Sequence, residues 1–168
     1  MDAEQLRALQ TPLKQQYKTD AVSAKWILSA EGTLHQSRIS CQINTGASRP
    51  EAGLHPAAGG DGSLACSGDM LLESLGACAG VTLTVVATAL GITLHAGTVH
   101  VEGDLDFRGT LGVNKETPIG FSAIRMRFDI DSNATPEQLA NLIKLTERYC
   151  VIYQTLCHPP KISVSLNP

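Results

Sequence analysis

The chain has 168 residues, of which 17% are charged, and a formal net charge of -3. That length fits one domain able to bury about two thirds of the surface its unfolded form exposes, and its scattered Lys and Arg argue against nucleic acid or an anionic membrane as partner. Five cysteines, Cys41, Cys66, Cys78, Cys150 and Cys157, form an odd set with no CxxC pair, which argues against a secreted disulfide framework or a zinc knuckle and for reduced thiols.

The first 20 residues read as a helix capped by Asp2, with Leu6, Leu9, Leu13 and Tyr17 on one face and Pro12 expected to kink or restart it. They lack the basic end and apolar run of a secretory signal, so a cytoplasmic location is expected. Val22, Ala24, Trp26 and Leu28 alternate, as do Ile39, Cys41 and Ile43, predicting two strands joined near Gly32. From about Thr45 to Ser67 runs a long stretch rich in Gly, Ala, Pro and Ser, well beyond a connection of about 4 to 6 residues and of the kind that borders sites. A helix follows, with Ser67 as candidate N-cap, Asp69 near the positive end of its dipole and Gly91 as its stop.

Val99, Val101, Gly103, Leu105 and Phe107 alternate with polar residues, and Ile124, Met126, Phe128 and Ile130 do the same, so both segments read as strands with one wet face. The Gly-, Asn- and Pro-containing stretch between them reads as a hairpin connection. Thr135-Pro136-Glu137-Gln138 is a helix start with cap, N1 proline and capping-box glutamine, and the face through Leu139, Leu142, Ile143, Thr146, Tyr149 and Cys150 turns Cys150 inward. Ile162, Val164 and Leu166 suggest a last strand. The order points to an α+β domain over residues 21–168, with antiparallel pairs packed on a central helix and residues 1–20 as an amino-terminal helical extension.

Residues 74–94 contain no Asp, Glu, Lys or Arg. About 20 such residues can span a bilayer, but the small and hydroxyl residues, the missing basic flank and the absence of an aromatic belt weigh against a span. A second reading is a buried helix, apolar all round, in which Cys78 is a small hydrophobe. A third uses two thiols: Cys78 near a helix start, where the dipole lowers a thiol pKa, and Cys150 on the inner face of a later helix. A thiolate can attack a peroxide O–O bond, and a second thiol can convert the sulfenic acid to a disulfide. Spacing alone does not show that the two meet.

The stretch "SGDMLLESLGACAGVTL" resembles the central-helix motif of the osmotically inducible protein C and organic hydroperoxide resistance (OsmC/Ohr) family, and "LTERYCVIYQTL" followed by "PKISVSL" is similar to its second cysteine motif. The resemblance covers about residues 21 to 168. It implies a long helix packed against small antiparallel sheets, an intertwined homodimer with active sites at the subunit interface, and a thiol peroxidase. By the same resemblance Cys78 matches the peroxidatic cysteine and Cys150 the resolving one. The implied substrates are organic hydroperoxides and the implied reductant is a dithiol, often a lipoyl group on a carrier protein.

Family peroxidases carry an Arg before the central helix and a Glu near its start. Here Asp69 sits near the acidic place but is shorter, and Arg49, in the long loop, is preferred over Arg38, which falls between apolar strand positions. "CVIY" also stands where a proline follows the family's second cysteine. The alternative is therefore a non-catalytic or stress-associated binding domain with an apolar pocket and an unactivated Cys78. His55 reads as a turn histidine. Cys157-His158 lacks the further ligands of a metal site, and "GGDGS" lacks the Lys-Ser/Thr of a phosphate loop. Neither cofactor nor metal is expected.

Overall fold

The computed structural model describes residues 2–20, 31–35, 40–44, 51–112 and 114–167. Helix α1, Ala3–Thr19, starts at a reciprocal cap: the Gln5 N–H donates to Asp2 Oδ1 at 2.8 Å and the Asp2 N–H to Gln5 Oε1 at 3.0 Å. Pro12 lies inside this helix and does not end it, so of its two expected effects, a kink or a restart, the restart does not occur.

Strands β1, Glu31–His35, and β2, Ser40–Asn44, pair antiparallel with Glu31 opposite Asn44 and His35 opposite Ser40. Gly32, expected at the joint, is inside β1 opposite Ile43. The predicted strand Val22–Leu28 lies outside the described residues. The expected long loop contains β3, Glu51–Gly53, a 3-10 turn at Pro56–Ala58, and β4, Ala65–Cys66. The sheet order is β1-β2-β3-β4, and the β3–β4 pair, formed within the stretch expected to be loop, is parallel.

Helix α2, Ser67–Leu90, opens one residue earlier than an N-cap at Ser67 would allow, and the Cys66 sulfur accepts the Gly68 N–H at 3.4 Å. It stops as expected: Gly91 takes φ 71°, and the Ile92 N–H reaches back to the Ala87 carbonyl at 2.9 Å, the left-handed turn that glycine allows without steric cost. Strands β5, Leu94–Asp104, and β6, Ala123–Ser132, form a two-stranded sheet. β5 ends before Phe107 because Asp106 accepts the Arg108 N–H and caps the short helix α3, Phe107–Thr110.

Helix α4, Pro136–Tyr149, carries the expected capping box between Thr135 and Gln138. A further helix, α5, Val151–Cys157, follows at once. Residues 161–167 form no strand, and Ile162, Val164 and Leu166 are 86%, 94% and 89% exposed. The alternation expected there is real, but a strand needs a neighbour to accept its backbone hydrogen bonds.

The described chain gathers into two compact units, one of Met1–Arg7, Ser74–His100 and Arg127–Pro168, the other of Ala8–Glu73 and Val101–Met126. In the first, Leu83, Val86 and Ala87 of α2 pack with Ile92 and Leu142, and Phe128, Ile130, Leu139 and Ile143 lie against them. Among the described residues α2 is the one helix long and apolar enough to cross a membrane. Its buried residues Leu75, Ala79, Leu83, Val86 and Ala87 follow helical spacing, so one stripe serves a core, while Val81 on another face is 67% exposed.

In the second unit, Gly60 approaches the backbone so closely that a Cβ there would sit 1.8 Å from the Leu54 carbonyl oxygen. Only a residue without a side chain fits that position.

Candidate active site

Cys150 closes one helix and opens the next. Its backbone is extended at φ -73°, ψ 109°, which ends α4, yet its N–H still donates to the Thr146 carbonyl at 2.9 Å. Its carbonyl accepts the Gln154 N–H at 2.9 Å, and its sulfur accepts the Tyr153 N–H at 3.5 Å. The side chain is completely buried, as its inward position on the helical face predicts, whereas Tyr149 is 59% exposed and the Arg148 guanidinium lies over its ring.

The first turn of α5 leaves the N–H groups of Val151 and Ile152 without intrahelical acceptors. They face the sulfur of Cys78, a partly buried residue of α2, and the thiol of Cys150 and the hydroxyl of Thr82 face the same atom. Burial pushes the Cys78 thiol up, but the donors from Ile152, Cys150, Val151 and Thr82 outweigh it and leave the pKa below the ordinary thiol value. Cys150 shifts the other way. Burial raises it most, and donating its proton to Cys78 and the negative charge there raise it further, against the opposing Tyr153 and Ile152 amides. The pair is therefore biased so that the more accessible sulfur, Cys78, loses its proton before the buried sulfur, Cys150. That arrangement lets the first sulfur attack an electrophile and the second follow it.

The valine after Cys150 matters here. A proline would bring no N–H to this position; Val151 brings one, aimed at Cys78.

Asp69 is exposed in the first turn of α2, with Cys78 more than two turns further along the same helix. Arg38 and Arg49 lie outside the described residues. The described arginines are occupied elsewhere: Arg7 Nε donates to the Ala3 carbonyl, Arg108 pairs with Asp106, Arg125 with Glu102 and Asp104, Arg127 with Asp129, and Arg148 covers Tyr149. His55 is a turn residue, its Nδ1 accepting the Ala57 N–H at 3.0 Å and its ring stacked on Phe107. His158 ends α5, donating its N–H to the Gln154 carbonyl. No cluster of three or more His, Cys, Asp or Glu able to hold a metal occurs among the described residues. An apolar cavity of about 370 Å³ in the first unit is lined by Gly80, Leu83, Leu94, Val99, Phe128 and Ile130, among others; Leu83 is roughly 140° around α2 from Cys78, so the cavity is not the pocket of that thiol.

The sequence profile of the family described as OsmC-like protein matches residues 60–165. The chain belongs to the OsmC-like family. Solved structures agree on the fold of this OsmC-like chain. An OsmC-like protein from Mycoplasma pneumoniae superposes with a TM-score of 0.68 at 18% identity, covering 80% of this chain and 90% of its own. An organic hydroperoxide resistance protein OsmC from Legionella pneumophila gives 0.62 at 16% identity, with 80% and 93% covered. The organic hydroperoxide resistance protein OhrB of Bacillus subtilis gives 0.55 at 16% identity, with 79% and 93% covered. No curated protein matches the chain.

The contact between Cys78 and Cys150 thus joins two residues that an OsmC-like resemblance names for one site. Sequence reasoning missed two features. Thr82 is one helical turn after Cys78, a spacing of four residues that puts side chains on one face, and the α5 amides needed a second helix that the smooth apolar pattern through Cys150 concealed.

Proposed function

We propose that this protein is a thiol-dependent peroxidase that reduces organic hydroperoxides in the cytoplasm as part of oxidative stress defence. The observation that carries the reading is the meeting of Cys78 and Cys150, with the first biased toward thiolate and the second toward thiol. The Cys78 thiolate attacks one oxygen of ROOH. An S–O bond forms, the O–O bond breaks, and the leaving alkoxide takes a proton from water, giving ROH and a sulfenic acid. The Cys150 sulfur then attacks Cys78; the S–S bond forms, the S–O bond breaks, and water departs with the thiol proton. A dithiol, such as a lipoyl group on a carrier protein, returns the pair to thiols and is itself oxidised to a disulfide. Family membership and solved neighbours described as organic hydroperoxide resistance proteins support the choice of peroxide. Arg49 and Asp69 are the residues proposed to meet the substrate.

One equivalent of cumene hydroperoxide is expected to form one Cys78–Cys150 disulfide, read by peptide mapping, and to leave no such bond in Cys150→Ser. A parent chain that keeps both thiols in excess peroxide favours the alternative, a non-catalytic binding domain.

The working form is proposed to be a homodimer with active sites at the interface. The exposed alternation of Ile162, Val164 and Leu166, together with exposed Val81 of α2, supplies apolar surface that a second copy would cover. Sedimentation of the parent at low micromolar concentration is expected to give a dimer, and the Ile162→Ser/Val164→Ser/Leu166→Ser chain to dissociate at least about tenfold more readily, a change of about 1.4 kcal/mol. A folded monomer from the parent at that concentration rejects the dimer.

A further inference from the structure

Thr82 has one hydroxyl proton and two acceptors within its reach. The hydroxyl donates to the Cys78 carbonyl at 2.7 Å, the same back-bond to the residue four before it that Thr84 makes to Gly80, Thr88 to Thr84 and Thr146 to Leu142. Thr82 differs from those three because the residue it back-bonds to, four before it on the same face of α2, carries a thiol, and the Thr82 hydroxyl helps to lower the pKa of that thiol. While Cys78 carries its proton, the back-bond to the carbonyl satisfies the hydroxyl. Once the sulfur is negative, a charge-assisted bond to it is stronger than a neutral bond to a carbonyl, and a small rotation about one side-chain bond exchanges them.

We propose that Thr82 is a positioning residue for Cys78, its hydroxyl moving from the Cys78 carbonyl to the Cys78 sulfur when that sulfur ionises. The other described groups that face the sulfur are fixed: the Val151 and Ile152 amides belong to the backbone of α5, and Cys150, the one titratable neighbour among the described residues, is fully buried in the joint between α4 and α5. None of the four carries a positive charge. Thr82 is thus the adjustable member of an uncharged donor set. This inference rests on the reading of Cys78 as the reacting thiol, but it concerns the sulfur's ionisation and not the identity of the oxidant.

The test is the pH profile of Cys78 alkylation by iodoacetamide, followed at that peptide by mass spectrometry, which needs no peroxide. Thr82→Val and Thr82→Ala are expected to slow alkylation below the Cys78 pKa by about threefold to tenfold, equivalent to a rise of half to one pKa unit. Thr82→Ser should restore the parent profile. Thr84→Val, which removes an equivalent back-bond with no sulfur beside it, should leave the profile unchanged. Should Thr82→Val and Thr82→Ala both titrate like the parent, or Thr84→Val shift the profile as much as they do, the hydroxyl serves only the helix and the inference is wrong. A parent chain inert to hydroperoxide whose alkylation profile still responds to Thr82 overturns the peroxidase reading and keeps this one.

Discussion

Replacing Cys78 by serine is expected to reduce hydroperoxide consumption, followed with cumene hydroperoxide and a dithiol, to the rate of the reagents alone. The Cys78 sulfur combines nucleophilicity with the readier ionisation of the two facing thiols. The donors around it, two amides, a thiol and a hydroxyl, hold the negative charge in the folded chain, and a serine hydroxyl at neutral pH offers no anion for them to hold. Cys150→Ser should behave differently, consuming about one equivalent and then stalling or over-oxidising at Cys78, because the first step does not need the second sulfur. The pH dependence has a definite sign. Rate should climb as Cys78 loses its proton and level off once the pH exceeds its lowered pKa, so the plateau arrives at a lower pH than for an ordinary thiol. A Cys78→Ser chain that consumes peroxide at the parent rate would remove the basis of the mechanism.

Leu142→Ala is expected to cost about 2–5 kcal/mol of folding stability. Leu142 is completely buried and belongs to the core cluster in which α4 meets α2, so truncation removes apolar burial and leaves a cavity whose lining is held by two helices. Against a typical total of about 5–15 kcal/mol, this single change takes a large part of the margin. Urea unfolding at fixed chain concentration is the appropriate measurement, since a dimer links stability to concentration. A loss under about 1 kcal/mol would mean that the α2–α4 contact is not central to the fold.

How much of this was legible beforehand varies with the range of the interactions. Caps were readable because their partners lie within a few residues: Asp2 with Gln5, Thr135 with Gln138, and Gly91 after the last turn of α2 all occur as their spacing predicts. Strand alternation over Ile124, Met126, Phe128 and Ile130 was equally plain, since a half-wet sheet writes its burial every second residue. Pro12 did not restart α1, because a local rule against proline in helices does not weigh what the rest of a helix gains by continuing. At Cys150 the apolar spacing ran on unbroken, while one change of backbone angle split the segment into α4 and α5 and created the amides that face Cys78.

The carboxy-terminal alternation shows a different limit. Ile162, Val164 and Leu166 have the pattern of a strand and stand exposed without one, because a pattern specifies which face is apolar and not who supplies the hydrogen bonds. Family resemblance named both cysteines, yet it was silent on Thr82, whose role arises from a hydroxyl reaching two acceptors.

By itself, then, the sequence determined the helix ends, the one-sided strands, the uncharged run that builds α2 and the presence of two candidate thiols, all features set by neighbours along the chain. Only the tertiary structure decided that the two thiols face each other, that the buried one is the harder to deprotonate, and that amides and a hydroxyl rather than a described arginine surround the other. Those outcomes depend on groups far apart in sequence entering one poorly solvated space, where burial and hydrogen bonding set the charge on each sulfur.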